Sequence, residues 1–288
     1  PEPDSHQRHF AMAVDTFLAH YERAAECKSE SISVGIGAHS RRAVSRDSLA
    51  AIAETAANKG VPMHLHIAEQ QREVDQCMAA NGRRPVRWLL ENFPVAEGWC
   101  LVHATHMDFD ETIALANSGA VVVLCPSTEA NLGDGLFPLH HFLQEGGRIA
   151  IGSDSHITIN PFEELRWLEY GQRLATRSRN IVSLRDSHVG RELFSRVLEG
   201  GAVATGQATT GLRKGAPADL VVLSDDDPML AGHGDESRLD ALVFSGYPLP
   251  IERVMVNGDG RVVDAMHIDR NRVRAEYVET IQALGRTR

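Results

Sequence analysis

From about residue 30 to about residue 206, short β-like runs of hydrophobic and small residues alternate with longer stretches of helical spacing. The β runs are Ser31–His39, Val61–Ala68, Trp99–Thr105, Ala120–Cys125 and Arg148–Asp154. Helical spacing covers Ser45–Lys59, Pro85–Asn92, Asp110–Ser118 and Pro161–Arg177, and a further helix is expected ahead of them over Ser5–Ala25. Alternation of this kind predicts an α/β fold with parallel strands and crossover helices.

The texture inside the strands narrows the architecture. In Ser31–His39, Ile32, Val34, Ile36 and Ala38 share one face, and Ser31, Ser33, Gly35, Gly37 and His39 the other. In Val61–Ala68 the apolar positions face one way, while His64 and His66 face the other. Strands of an open doubly wound sheet are apolar on both faces. One apolar face with one small, polar face suits a closed barrel whose active site lies at the C-terminal strand ends. The pattern therefore predicts a (β/α)8 TIM-type barrel. Only five strands precede a change of texture near Gly206, so three are expected upstream of Pro1.

After Gly206 the chain turns to short strands and tight turns. Ala218–Leu223, Ala241–Phe244 and Arg253–Val256 are expected strands, Asn257–Gly260 a hairpin turn into Arg261–Val263, and Asp269–Leu284 a closing helix. The expected division is residues 1–206 as barrel and 207–288 as a small β-rich domain.

Composition removes some function classes. Lys and Arg number 29 against 39 Asp and Glu, a net charge of −10, which argues against nucleic-acid or anionic membrane partners. A small acidic substrate stays open, because a pocket can concentrate arginines within an acidic protein. No apolar run reaches the roughly 20 residues that span a bilayer. The first residues, which lack an initiator Met, show no signal-peptide pattern, and a cytoplasmic location is expected. Cys27, Cys77, Cys100 and Cys125 form no C-x-x-C pair and are expected to be reduced, packed thiols.

Candidate chemistry gathers at the strand ends. His66, in HLHIAE from His64, is placed as a metal ligand through a neutral ring nitrogen. Glu69 can turn back over the barrel mouth as a proton carrier. Asp154, in GSDSH, shares a face with Ala150 and Gly152 and can bind a cation or accept a proton. Asn160 is the more natural N-cap for the helix that follows. His103 and His106 differ by three and cannot both point inward from one strand. His103 is the candidate electrophile or hydrogen-bonding group, and His106 a structural residue. His39, with Arg41 and Arg42 in the next loop, can hold an anionic substrate. The polar segment STEANLGDG from Ser127 reads as a pocket-shaping loop with no single residue assigned.

These residues resemble the amidohydrolase superfamily, and within it the formimidoylglutamate deiminases of histidine degradation. The resemblance is carried by HLHIAEQQREVDQC, LVHATHMD, STEANLGDG and LRWLEYGQRL, and by the later GAPADLVVL and VMVNGDGRVV. It implies one divalent metal ion, zinc, with His66 and Asp154 as ligands. It further implies Glu69 as proton shuttle, Asp154 as acceptor of the proton from the attacking water, and His103 steadying the intermediate. His39 and Arg42 would hold the substrate. The implied reaction converts N-formimidoyl-L-glutamate to N-formyl-L-glutamate and ammonia, and superfamily habit implies a homodimer. Two further ligands, a His-x-His pair on the family's first strand, find no match here. His6, His9 and His20 fall in helical sequence, so residues 1–288 alone are expected to bind metal weakly or not at all and to be inactive. Two other readings stand beside this one. A guanine-type deaminase is disfavoured by Arg42 and STEANLGDG, because a flat purine has no carboxylates to hold. A truncated, inactive barrel serving as a subunit or binding module has no use for Glu69, His103 and Asp154 together.

Overall fold

The computed structural model describes residues 8, 10–184, 188–207, 210–246 and 248–285. The chain divides into two compact units, Pro1–Gly211 with Gly234–Gly246, and Leu212–His233 with Tyr247–Arg288.

The first unit is built on five strands: β1 (Ile36–Ser40), β2 (Met63–Ile67), β3 (Trp99–His103), β4 (Val121–Leu124) and β5 (Arg148–Ile151). They lie in one parallel sheet in the order β1-β2-β3-β4-β5. Each strand pairs with its predecessor, with none of the reversal of order that marks a doubly wound sheet. This is the succession of a barrel, and within this chain the sheet stays open.

Between the strands run α1 (Val14–Ala25, ahead of β1), α2 (Arg46–Lys59), α3 (Gln71–Asn81), α4 (Pro85–Asn92), α5 (Phe109–Ser118), α6 (Pro126–Leu132) and α7 (Leu139–Gln144). After β5 come α8 (Pro161–Thr176), α9 (Val189–Ala204) and α10 (Arg238–Phe244). Local signals set several ends. Ser45 caps α2 by accepting from the Ser48 N–H, and Gly60 closes it in the left-handed region at φ 64°. Asp108 and Glu111 form a reciprocal capping box on α5. Asn160 caps α8 through the Phe162 N–H, as its sequence position suggests.

Two apolar layers hold the sheet. On the helix side, Ile36, Met63, Leu65, Ile67, Leu101, Val122, Leu124 and Ile149 are buried with Leu49, Leu89, Leu115, Phe142 and Leu165. On the other side, Cys100, Val102, Val121, Val123 and Ala150 are buried with Ala204 near the end of α9. The small, polar inner face thus holds for β1 and β2, whereas β3 and β4 are buried on both faces.

Four expectations need correction. The first strand begins at Ile36 rather than Ser31. Ile36 donates to the Pro62 carbonyl, and Pro62 has no N–H to return, so the ladder to β2 stops there. Residues 241–244 are helical. A short apolar run fits helix or strand equally by pattern. Here Asp240 accepts from the Gly190 N–H at 2.5 Å and from His188 Nδ1 at 2.6 Å, seating α10 on the start of α9. Residues 126–132 are the helix α6 rather than a loop. The leading helix begins at Val14; most of Ser5–His9 lies outside the described residues, including His6 and His9, while His20 lies in α1.

The second unit is an antiparallel sheet, β6 (Leu220–Leu223), β7 (Ile251–Val256), β8 (Asp259–Val263) and β9 (Met266–His267), in that order, followed by α11 (Arg270–Gly285). Val256 pairs with Asp259 across Asn257 and Gly258, both at positive φ, which is the two-residue hairpin that Asn-Gly predicts.

Candidate active site

All six residues singled out from the sequence line one cavity. His39, Arg42, His66, Glu69, His103 and Asp154 surround a space of about 180 Å³, joined by Ser40 and Glu73. His66 stands between its neighbours, its ring 5.6 Å from that of His39 and 5.5 Å from that of His103. Its Nδ1 lies 2.7 Å from the His39 carbonyl oxygen. A carbonyl only accepts, so Nδ1 carries the hydrogen, and in the neutral ring that leaves the lone pair on Nε2. Metal-ligating histidines are commonly fixed in this way.

The carboxylates arrive by turns rather than by strand pleat. Ala68, directly after β2, is left-handed at φ 50°, which brings Glu69 back over the strand ends. The Glu69 Oε1 then lies 3.8 Å from His103 Nε2. Burial raises the Glu69 pKa, the His103 ring opposes that rise, and Asp134 adds to it. Asp154 does not share a strand face with Ala150 and Gly152, since β5 ends at Ile151. It sits in the following turn at φ 43° and still borders the cavity.

His103 ends β3 at φ 70° and is buried. Burial pushes its pKa down. The hydrogen bond to Glu129 and the charges of Glu69, Glu129 and Asp154 outweigh that, and the net direction is upward. His39 moves the other way, lowered by burial and by the nearby His66 and Arg42. The paired arginines separate. Arg42 borders the cavity, whereas the Arg41 guanidinium carbon lies 4.2 Å over the Trp88 ring. His64 Nε2 bonds the Ala204 carbonyl and His106 Nε2 the Asp134 carbonyl, both structural ties.

Sequence reasoning missed two carboxylates. Glu73 Oε2 accepts from the Glu69 N–H at 3.2 Å, and its Oε1 has no hydrogen-bond partner among the described residues. As the third residue of α3 it reaches back over the helix start, a position that capping patterns flag. Glu129 bonds His103 from α6; Pro126 opening that helix was the available signal.

A larger cleft of about 300 Å³ lies near the start of β5. Of the charged groups there, Arg148 pairs with Glu97 at 2.7 Å and Arg196 with Glu192 at 2.6 Å. Among the described residues, no three His, Cys, Asp or Glu side chains are disposed to hold a metal ion. His66, with its lone pair free, and Asp154 have the donor chemistry of metal ligands and fit part of such a set. Among the described residues no helix is long and apolar enough to cross a membrane.

A parallel sheet with histidines and carboxylates gathered at its C-terminal edge is the arrangement of metal-dependent hydrolases. Residues 11–261 match the amidohydrolase family, and the chain belongs to it. It is 45% identical over 280 residues to formimidoylglutamate deiminase of Pseudomonas aeruginosa, covering 96% of this chain and 62% of that one. It is 31% identical over 195 residues to 5-methylthioadenosine/S-adenosylhomocysteine deaminase of Halobacterium salinarum, covering 67% of this chain and 44% of that one. The crystal structure of an amidohydrolase from Brucella melitensis matches with a TM-score of 0.92 and 38% identity, over 98% of this chain and 62% of that one. An adenosine deaminase from Xanthomonas campestris with bound zinc shares the fold at a TM-score of 0.79 and 22% identity, over 92% and 63%. The chain thus spans about three fifths of the length of the deiminase it matches.

Proposed function

We propose that this chain carries the greater part of a deiminase site that hydrolyses N-formimidoyl-L-glutamate to N-formyl-L-glutamate and ammonia. The observation that carries the reading is the convergence of His39, Arg42, His66, Glu69, His103 and Asp154 on one cavity. The likeness to the P. aeruginosa deiminase selects the substrate. His66 and Asp154 would hold a divalent ion, most simply zinc, with ligands beyond these two completing the set. When bound, such an ion polarises the amidine and brings the pKa of water to about 7.

The remaining steps belong to side chains. Arg42 and His39, both at the cavity, meet the carboxylates of the substrate; a guanidinium suits bidentate carboxylate binding. Asp154 accepts the proton of the attacking water as its oxygen bonds to the formimidoyl carbon. Glu69, held protonated to higher pH than an ordinary carboxyl, delivers a proton to the imine nitrogen. The new hydroxyl then gives up its hydrogen as its C–O bond becomes the carbonyl, and the nitrogen, with that second proton, leaves as ammonia as the C–N bond breaks. His103, beside Glu69 and backed by Glu129, takes up a proton at Nε2 and, as the imidazolium, stabilises the group that gains negative charge.

The test is ammonia release by the metal-loaded full natural chain, with formimidoylglutamate and guanine in parallel. Release from formimidoylglutamate alone is expected, with Glu69→Gln lowering kcat by about 100-fold or more. Release from guanine instead, or from neither, overturns the reading.

A further inference from the structure

Glu129 lies in α6, on none of the strands of the sheet, and is only 4% exposed. Its Oε1 receives two donors, the Cys125 backbone N–H at 3.0 Å and His103 Nδ1 at 3.2 Å. A carboxylate only accepts, so the ring nitrogen facing it bears the hydrogen. The other ring nitrogen, Nε2, is the one that faces Glu69.

We propose that Glu129 is a positioning residue for His103: by holding Nδ1–H it locks the ring so that Nε2 is presented to the cavity beside Glu69. The backbone alone does not ensure this. His103 and Ala104 are both left-handed, at φ 70° and 49°, so the strand pleat no longer dictates where the side chain goes. The terminal torsion of a histidine is broad and roughly two-fold, and a ring flip puts a carbon where each nitrogen stood. The Glu129 anchor is independent of β3. The Cys125 N–H fixes the carboxylate, and Ser127 ties α6 to Glu164 of α8 through its N–H at 2.9 Å and its hydroxyl at 2.6 Å. His103 is therefore clamped from outside the strand that carries it. An amide at position 129 would offer a donor as well as an acceptor and would accommodate either tautomer.

The test has two arms. In the first, the full natural chain is prepared with histidine labelled in both ring nitrogens. Proton–nitrogen correlation spectra near neutral pH are compared with those of Glu129→Gln, and His103→Asn identifies the His103 signals. The expected wild-type spectrum has Nδ1 protonated, and in Glu129→Gln hydrogen appears on Nε2 with Nδ1 partly bare. A wild-type His103 with bare Nδ1 overturns the proposal, as does a variant spectrum identical to wild type. If Glu129→Gln does not fold, the wild-type spectrum still decides. The second arm measures deamination of formimidoylglutamate by the full natural chain and rests on the function proposed above. Glu129→Gln is expected to lower kcat by at least about 100-fold while KM stays nearly constant, since a mis-set tautomer costs transition-state stabilisation rather than binding. A melting temperature that falls while kcat per folded molecule holds would show a merely structural role and overturn the proposal. A wild-type chain with the expected tautomer but no activity would sink the function and leave the positioning intact.

Discussion

Replacing Gly200 by Ala tests how closely α9 is seated on β5. A methyl group built at Gly200 would lie 2.7 Å from the carbonyl carbon of Ile149 and closer still to its oxygen. Both are backbone atoms of a strand, so no change of rotamer relieves the clash. Within the helix itself the substitution helps, because Ala in place of an interior Gly stabilises by about 0.5–1 kcal/mol. Overpacking costs about 1–3 kcal/mol, with the upper end expected where backbone must move. The net effect is a loss of about 2 kcal/mol, or a fall of about 4–8 °C in Tm for a unit of this size. Gly201 provides the control. Nothing lies within 4 Å of a methyl group there, so Gly201→Ala gains the helix term without the clash. The two neighbouring substitutions should move Tm in opposite directions, read by circular dichroism melts and by urea unfolding. A Gly200→Ala protein that melts at or above wild type would refute the reasoning. So would a pair of shifts with the same sign and size.

Glu111 accepts from Arg84 Nε at 2.7 Å, the Arg87 N–H at 2.9 Å and the Asp108 N–H at 3.0 Å while almost wholly buried. Glu111→Ala is expected to cost about 3 kcal/mol in urea unfolding; removing the exposed Arg87–Glu91 pair should change nothing measurable, and equal losses would contradict this account. Burial raises the pKa of Glu164 above its ordinary 4.5, although two hydrogen bonds from Ser127 pull it down. The folded state then holds this proton more tightly than the unfolded one. The contribution is present below that ordinary value and is lost as pH rises through the folded value. The stability difference between wild type and Glu164→Gln should therefore shift against wild type with rising pH across that window, and a pH-independent difference would refute it. Cys27 is exposed, burial pushes Cys77 upward, takes Cys100 to about 12 and drives Cys125 higher still. A thiol reagent should titrate one fast cysteine in the native chain and four after unfolding; two fast thiols would be inconsistent with this burial.

The alternation that predicts five parallel strands survives because each strand carries its signal locally, in a short run with at least one apolar face. What fails is whatever depends on a partner. Ser31–Gly35 has the right pattern for a strand, but Pro62 on the neighbouring chain segment withholds the N–H that would pair it. Residues 241–244 have too few positions for a period to show, and Asp240 bonding to α9 makes them helical. The STEANLGDG segment was legible as part of the site but not as a helix, because its polar residues face inward. Ser127 meets Glu164, Thr128 meets Ser155 and Glu129 meets His103, all partners more than 20 residues away in sequence. The six residues that the family resemblance pointed to border one cavity, yet the resemblance did not supply Glu73, which bonds the Glu69 N–H, or Glu129, which bonds His103.

Backbone strain is the part of the site that no pattern announced. His39, Ala68, His103 and Asp154 are all non-glycine residues in the left-handed region, and each follows or ends a strand of the sheet. A residue with a side chain pays about 1–2 kcal/mol for that conformation. Local sequence gives no reason to accept the cost, and glycine would remove it. Glycine would also remove the side chains at three of these positions, and those side chains border the cavity. The strain is borne by the hydrogen bonds that continue past the regular ladder. The Arg41 N–H reaches the His66 carbonyl at 3.3 Å, Ala104 reaches Ile67 at 3.0 Å, and His106 reaches Ala68 at 3.0 Å. Each bond runs from the residue beyond one turn to the neighbouring strand or its turn, so the strained corners brace one another. Outliers of this kind cluster where a scaffold over-determines its functional groups. The geometry of the corners therefore supports, independently of any likeness in sequence, that the C-terminal edge of the sheet is the working end of the molecule.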